Sequence, residues 1–182
     1  MKNVFNLAVK LVFQPYEGLR ETIEKKPFIP ALLLFILSNI IVVAITMLIK
    51  NYSLQDIGLI SKLVFSKIFI PFLSIFIIHL LSKIIFNSAG DLKTFSSTYL
   101  LILASTSIVL SLANILFYTI FILSHSLNLL NSYNFIIMLA AFGWILVLTV
   151  AAIMNSYALT GKQAVSIWAI QYLPFIIFYL LK

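Results

Sequence analysis

Residues Phe28 to Ile49 read FIPALLLFILSNIIVVAITMLI and contain no Asp, Glu, Lys or Arg. A helix needs about 20 predominantly apolar residues to cross about 30 Å of hydrocarbon, and this run supplies them with Ser38, Asn39 and Thr46 as its polar side chains. Four further runs of the same kind follow at about residues 68–86, 99–123, 135–157 and 164–181. Apart from Lys83, close to the end of the second, they too are free of charge. None shows the period-2 alternation of barrel strands. The expected fold is therefore an all-α integral membrane protein: five transmembrane helices over residues 28–182, preceded by an interfacial and cytoplasmic segment over residues 1–27.

The whole chain agrees with that reading. Charged residues make up 9% of it against roughly 25% in soluble domains, hydrophobic residues 63%, and the mean hydropathy is +1.14. The formal charge of +7 comes from residues flanking the apolar runs, where lysines anchor spans at anionic headgroups, so the lipid bilayer rather than nucleic acid is the expected partner of this charge. With no cysteine, a disulfide frame, a thiolate nucleophile and a cysteine metal site are excluded. The opening stretch, broken by Lys10 and followed by no small-residue cleavage site, is expected to remain in the mature chain.

Five spans put the termini on opposite sides. Lys2, Lys10, Arg20, Lys25, Lys26, Lys83, Lys93 and Lys162 fall on the N-terminal side, against Lys50, Lys62, Lys67 and Lys182 on the other. The positive-inside rule then predicts a cytoplasmic N-terminus and an outward C-terminus, with Lys67 and Lys182 as snorkelling anchors.

Ahead of the first span, Asn3, Asn6, Lys10 and Gln14 recur at steps of three and four, opposite Val4, Phe5, Ala8, Leu11 and Val12. That spacing predicts an amphipathic helix lying in the membrane interface and ended by Pro15. PYEGLRETIEKKP then makes a second short helix closed by Pro27. Its Glu17, Glu21 and Glu24 share a face, but Glu17 with Arg20 and Glu21 with Lys25 have the spacing of helix-surface ion pairs, which outweighs a metal or acid–base site.

Within the spans, Ser107, Ser111, Asn114 and Tyr118 form a polar stripe down the third helix, which in lipid must face protein or water. Helix packing explains it more simply than a substrate path, and Thr149, Ala152 and Ser156 offer a small-residue face on the fourth helix as its partner. Asn39, Thr46 and Gln171 are isolated hydrogen-bonding groups. His79, one turn from Ser82 and Lys83, has no carboxylate or second His at ligand spacing, and His125 stands alone at the end of the third span. There is no GxSxG, Gly-rich phosphate loop or HExxH motif, so no catalytic residue, metal or cofactor is expected. The longest polar loops are expected at residues 51–67 and 87–98.

Three blocks resemble the bacterial branch of the Yip family of five-span membrane proteins. They are Phe13-Gln14-Pro15 with Leu19-Arg20 and Pro27; Leu80 to Phe95, LLSKIIFNSAGDLKTF, with Gly90 and Lys93; and Trp144 to Ala164, with Tyr157, Gly161 and Lys162. The chain departs from the eukaryotic members in lacking a longer soluble N-terminal region and an Asp-Leu-Tyr-Gly-Pro type motif, so Rab-type GTPase binding is not implied. It also has Ala104-Ser105-Thr106-Ser107 where members often place a proline in span three. The resemblance implies a five-helix bundle of the bacterial cytoplasmic membrane, not an enzyme, acting as an adaptor through a membrane protein partner or a homo-oligomer, or by shaping the bilayer. The competing expectation is a transport component: an accessory subunit of an ABC-type exporter, or a small lipid or solute permease using the stripe of span three. The final polar stretch, NSYALTGKQAVSIW from Asn155 to Trp168, reads as a tight turn in which Gly161 permits the bend and Lys162 anchors it.

Overall fold

The computed structural model describes residues 2–49, 57–124 and 127–180, and every element among them is a helix. These are α1 (Lys2–Phe13), α2 (Pro15–Lys25), α3 (Phe28–Ile49), α4 (Ile57–Phe86), α5 (Leu92–Ser124), α6 (Leu127–Tyr157) and α7 (Gly161–Leu180). Four of them, α3 to α6, are long and apolar enough to cross a membrane. Lys50, His125 and Lys182 lie outside the described residues, as does the first part of the expected loop at 51–67.

Three helices are longer than hydropathy predicts. The polar stretches read as loops are helical from Ile57 and from Leu92 onward. The reason at α5 is chemical: Ser96, Ser97 and Thr98 donate to the carbonyls of Leu92, Lys93 and Thr94 at 2.7 to 2.9 Å. A hydroxyl satisfied within its own helix can be buried at little cost, and residues 94–102 form an unbroken buried stretch. Asp91 caps this helix, its carboxylate accepting from the Lys93 N–H (3.1 Å) and the Thr94 hydroxyl (2.9 Å).

Helix α5 is the axis of the bundle, packing along α3 and α6, and α1 and α2 pack against it as well, with Val12 of α1 lining a hollow shared with Thr106, Val109 and Leu110 of α5. Val4, Leu7, Ala8 and Leu11 form the buried face of α1. Its neighbour α2 approaches so closely that a Cβ on Gly18 would sit 2.7 Å from the Leu11 nitrogen and 2.9 Å from the Lys10 carbonyl carbon, so only glycine fits there. Lys10 bonds Glu21 across the pair, and Lys25 adds a second ion pair to Glu21 at 2.8 Å. Arg20 pairs with Glu24 at 3.8 Å and not with Glu17 as its spacing suggests, since both separations present the partner and the four-residue step is the one taken.

We call the end of the bundle that carries the end of α2 at Lys26 and the turns at 87–91 and 158–160 the junction end, and the end where α3 stops and α4 begins the far end. Described core residues such as Phe35, Ile78, Phe95, Leu100 and Ile153 lie toward the junction end.

Candidate functional site

At the junction end, α4, α5 and the turn between them converge on Tyr157, the last residue of α6, which is 1% exposed. Its hydroxyl and His79 Nδ1 on α4 form a hydrogen bond of 2.9 Å. Its ring lies 5.5 Å from that of Phe95 on α5, which in turn stacks at 5.6 Å on Tyr99, in the spacing that favours aromatic pairs. From the α4–α5 turn, Gly90 presses on the same residue: a Cβ there would lie 2.1 Å from the Tyr157 ring, 2.5 Å from the Ser156 oxygen and 2.6 Å from the Tyr157 Cα. Gly90 and Tyr157, picked out separately in the sequence, are thus one contact.

Around this contact three helices end on left-handed residues that are not glycine: Lys26 (φ 46) after α2, Asn87 (φ 45) after α4 and Ala158 (φ 51) after α6. Asn adopts this region readily, whereas Lys and Ala do so against a steric cost of roughly 1–2 kcal/mol each. The stops are nevertheless secured, the Lys26 N–H by the Thr22 carbonyl (2.9 Å) and the Leu159 N–H by the Met154 carbonyl (3.1 Å). Lys26 reaches Asp91 at 3.3 Å, joining the end of α2 to the cap of α5. Hydrogen bonds from Thr94, the Lys93 backbone and Lys26 hold the Asp91 carboxyl below the usual range.

The turn into α7 corrects one expectation. Gly161 has no left-handed backbone, and a Cβ on it would meet only Met154 atoms at 3.8 Å and beyond. The bend comes instead from Ala158 and from a capping box: the Thr160 N–H donates to Gln163 Oε1 (2.9 Å) and the Gln163 N–H approaches Thr160 Oγ1 (3.4 Å). T-x-x-Q before an apolar run is a signal present in the sequence, as is the D-x-x-T of Asp91 to Thr94, so both caps were within reach of sequence reasoning.

Other expected positions stay apart. Pro15 is the first residue of α2, and Lys93 and Lys162 point outward. On α5, Ser111 is buried and donates to the Ser107 carbonyl (2.8 Å), while Ser107, Asn114 and Tyr118 are half-buried along the far part of the helix. Thr149, Ala152 and Ser156 are buried on α6, which packs beside α5. Asn39 and Thr46 bond the carbonyls of Phe35 and Val42 within α3, but Gln171, 1% exposed, has neither amide atom hydrogen-bonded.

Chemically, the junction is a latch. His79 and Tyr157 are held by each other and by aromatic packing, with Lys83 and Asp91 as the nearby charges, and the arrangement ties α4, α5 and α6 to the N-terminal helices. Comparison of the chain with models of protein families, with curated proteins and with solved structures yields no match.

Proposed function

We propose that the chain is a non-enzymatic integral membrane adaptor of the Yip type, acting at the inner face of a bacterial cytoplasmic membrane through a membrane protein partner or a second copy. The proposal includes five spans, with the N-terminus cytoplasmic and the C-terminus outside: α7 has 20 residues, which at 1.5 Å per residue extend about 30 Å, the thickness of the hydrocarbon layer.

One observation carries the reading. While one face of α1 is docked on the bundle, Phe5, Val9 and Phe13 of α1 and Tyr16 at the start of α2 remain 40–89% exposed. Large aromatic side chains held outward on a rigid support suit the headgroup layer and a partner seated in it, and contribute nothing to the protein's own core. Because the opposite face of α1 is packed, these side chains can be altered without undoing the fold.

The test is photo-crosslinking in native membranes from a reactive residue placed at position 13 or 16. A discrete protein adduct that disappears with Phe5→Ser and Val9→Ser, at unchanged membrane insertion, is the expected result. Adducts to lipid alone would count against a protein-binding platform. Lipid or solute flux by the purified, reconstituted protein, abolished by Ser111→Leu or Asn114→Leu, would replace the adaptor with the transport reading.

A further inference from the structure

Toward the far end, the seam between α3 and α4 opens into a hollow of about 250 Å³ walled by Ile40, Val43, Met47 and Val64, with Asn39 and Lys67 as its polar side chains. The depth of Lys67 follows from the register of the two helices. Phe35 on α3 and Phe72 on α4 meet edge to face at 6.3 Å, and the antiparallel course from there brings Lys67 level with Asn39 and Ile40. Ile40 is nine residues from the end of α3 at Ile49 and twelve from its start at Phe28, about 13 Å and 18 Å along the axis. The register thus sets Lys67, expected from the sequence as an anchor at the rim of its span, level with the middle of the neighbouring apolar run. On its own helix Lys67 lies seven residues, about 10 Å, inside the apolar stretch from Ile60 to Phe86. Among the described residues Lys67 forms no ion pair.

A cation at this depth is costly to hold and marks a site whose counter-charge comes from elsewhere. A lipid phosphate sits at the end of the helices, a gap that the four-carbon stem of lysine does not close without deforming the bilayer. A second copy cannot supply the charge, because the five acidic residues, Glu17, Glu21, Glu24, Asp56 and Asp91, all lie outside the apolar spans. A free solute fits poorly, since the hollow is smaller than the roughly 300–1,000 Å³ of ligand cavities. What remains is a side chain delivered by another helix.

We infer that the α3–α4 seam docks a transmembrane helix of a partner protein that carries Asp or Glu near the middle of its span, with the carboxylate on Lys67. The inference rests on the adaptor reading and names the chemistry of its partner. Asn39 assists: one of its two amide protons is used on the Phe35 carbonyl, at 2.9 Å, and the other is available to the same carboxylate. The apolar walls receive the partner's neighbouring side chains.

The test uses the full chain reconstituted in phosphatidylcholine bilayers with synthetic Leu-rich transmembrane peptides bearing Asp, Leu or Lys at the centre, association being read by energy transfer. The Asp peptide should associate about tenfold more strongly than the Leu peptide, in line with the strength of polar contacts between helices in lipid. Lys67→Leu should erase that difference, and Lys67→Glu should transfer the preference to the Lys peptide. Equal association of the Asp and Leu peptides, or a preference that survives Lys67→Leu, would sink the proposal. So would loss of the Asp preference on adding phosphatidylglycerol, which would make Lys67 a headgroup site. Cross-links from α1 do not involve this seam: their loss with the Asp preference intact retires the inner platform, and the reverse outcome retires the seam.

Discussion

The two ends of the bundle are built differently from similar material. At the junction end, α5 is buried on every side from residue 94 to 102, α6 contributes Ala152, Ile153 and Tyr157 to the core, and α1 packs its Val4, Leu7, Ala8 and Leu11 into the same core. Beyond Ser107 the same helix turns outward, with Val109, Leu112, Ile115 and Leu116 43–64% exposed. Both halves are apolar, so hydropathy does not separate them. At the junction end the small and hydroxyl residues Ser96, Ser97, Thr98, Ala104 and Ser105 let neighbouring backbones close on α5, whereas the far part exposes several of its branched residues. Among the described residues the junction end is thus a finished core and the far part of α5 a surface.

The largest test of this contrast uses two glycines. Gly90→Val drives a side chain into Tyr157 and the Ser156 carbonyl, atoms of a fixed helix end, and should cost about 3 kcal/mol or abolish folding. Gly161→Ala adds a methyl in ordinary contact with Met154 and should stay within about 0.5 kcal/mol. Unfolding in mixed micelles with rising denaturing detergent measures both, and equal effects would mean that the turns, not the Tyr157 contact, hold the end together. Tyr157→Phe should come next, at about 1–2 kcal/mol, because the packing is kept while the His79 ring loses its partner. Ala158→Gly should act in the opposite direction, stabilising by about 1 kcal/mol as the left-handed stop of α6 loses its steric cost.

These contacts also show what could be read from the chain and what could not. The apolar runs were legible because hydropathy sums along the sequence, and the break between α1 and α2 because Pro15 stands there. The level of Lys67 beside Asn39 and Ile40 is not legible, since it depends on how α3 and α4 slide past each other, which Phe35 and Phe72 decide and a single helix does not reveal. The bend before α7 was assigned to Gly161 on composition, yet the left-handed residue is Ala158, placed by the Met154 carbonyl that closes the helix. Gly90 and Tyr157 were both singled out, but their contact spans most of α5 and α6, and no local pattern encodes it.

The docking of α1 should depend on acid. Hydrogen bonds from Lys10 and Lys25 lower the Glu21 carboxyl to about 2 from an ordinary value of 4.5, and the same Lys10 bond raises the Lys10 ammonium. A carboxyl depressed in the folded state contributes its stability fully above the unfolded value, and that contribution is lost as pH falls through the folded one. Protease access to α1 should therefore rise between about pH 4.5 and pH 2 and should no longer change with pH over that window in Glu21→Gln. An unaltered titration in that variant would show that Glu21 is not what fastens α1.

The smallest effect is expected on the far part of α5, and it is the sharpest probe of whether that part is surface. Ser111 is buried, but its hydroxyl bonds the Ser107 carbonyl of its own helix, so it contributes no interhelical bond through that contact. Ser111→Ala removes a locally satisfied group and keeps the small volume, and should change stability by less than about 0.5 kcal/mol. Ser111→Leu fills the same spot with a branched side chain and separates the alternatives. If the far end were packed like the junction, overpacking would cost about 1–3 kcal/mol, whereas helices free to part in lipid would absorb it at a fraction of that. A large cost for Ser111→Leu would place the limit of the core beyond Ser111, and the contrast between the two ends would have to be redrawn further along α5.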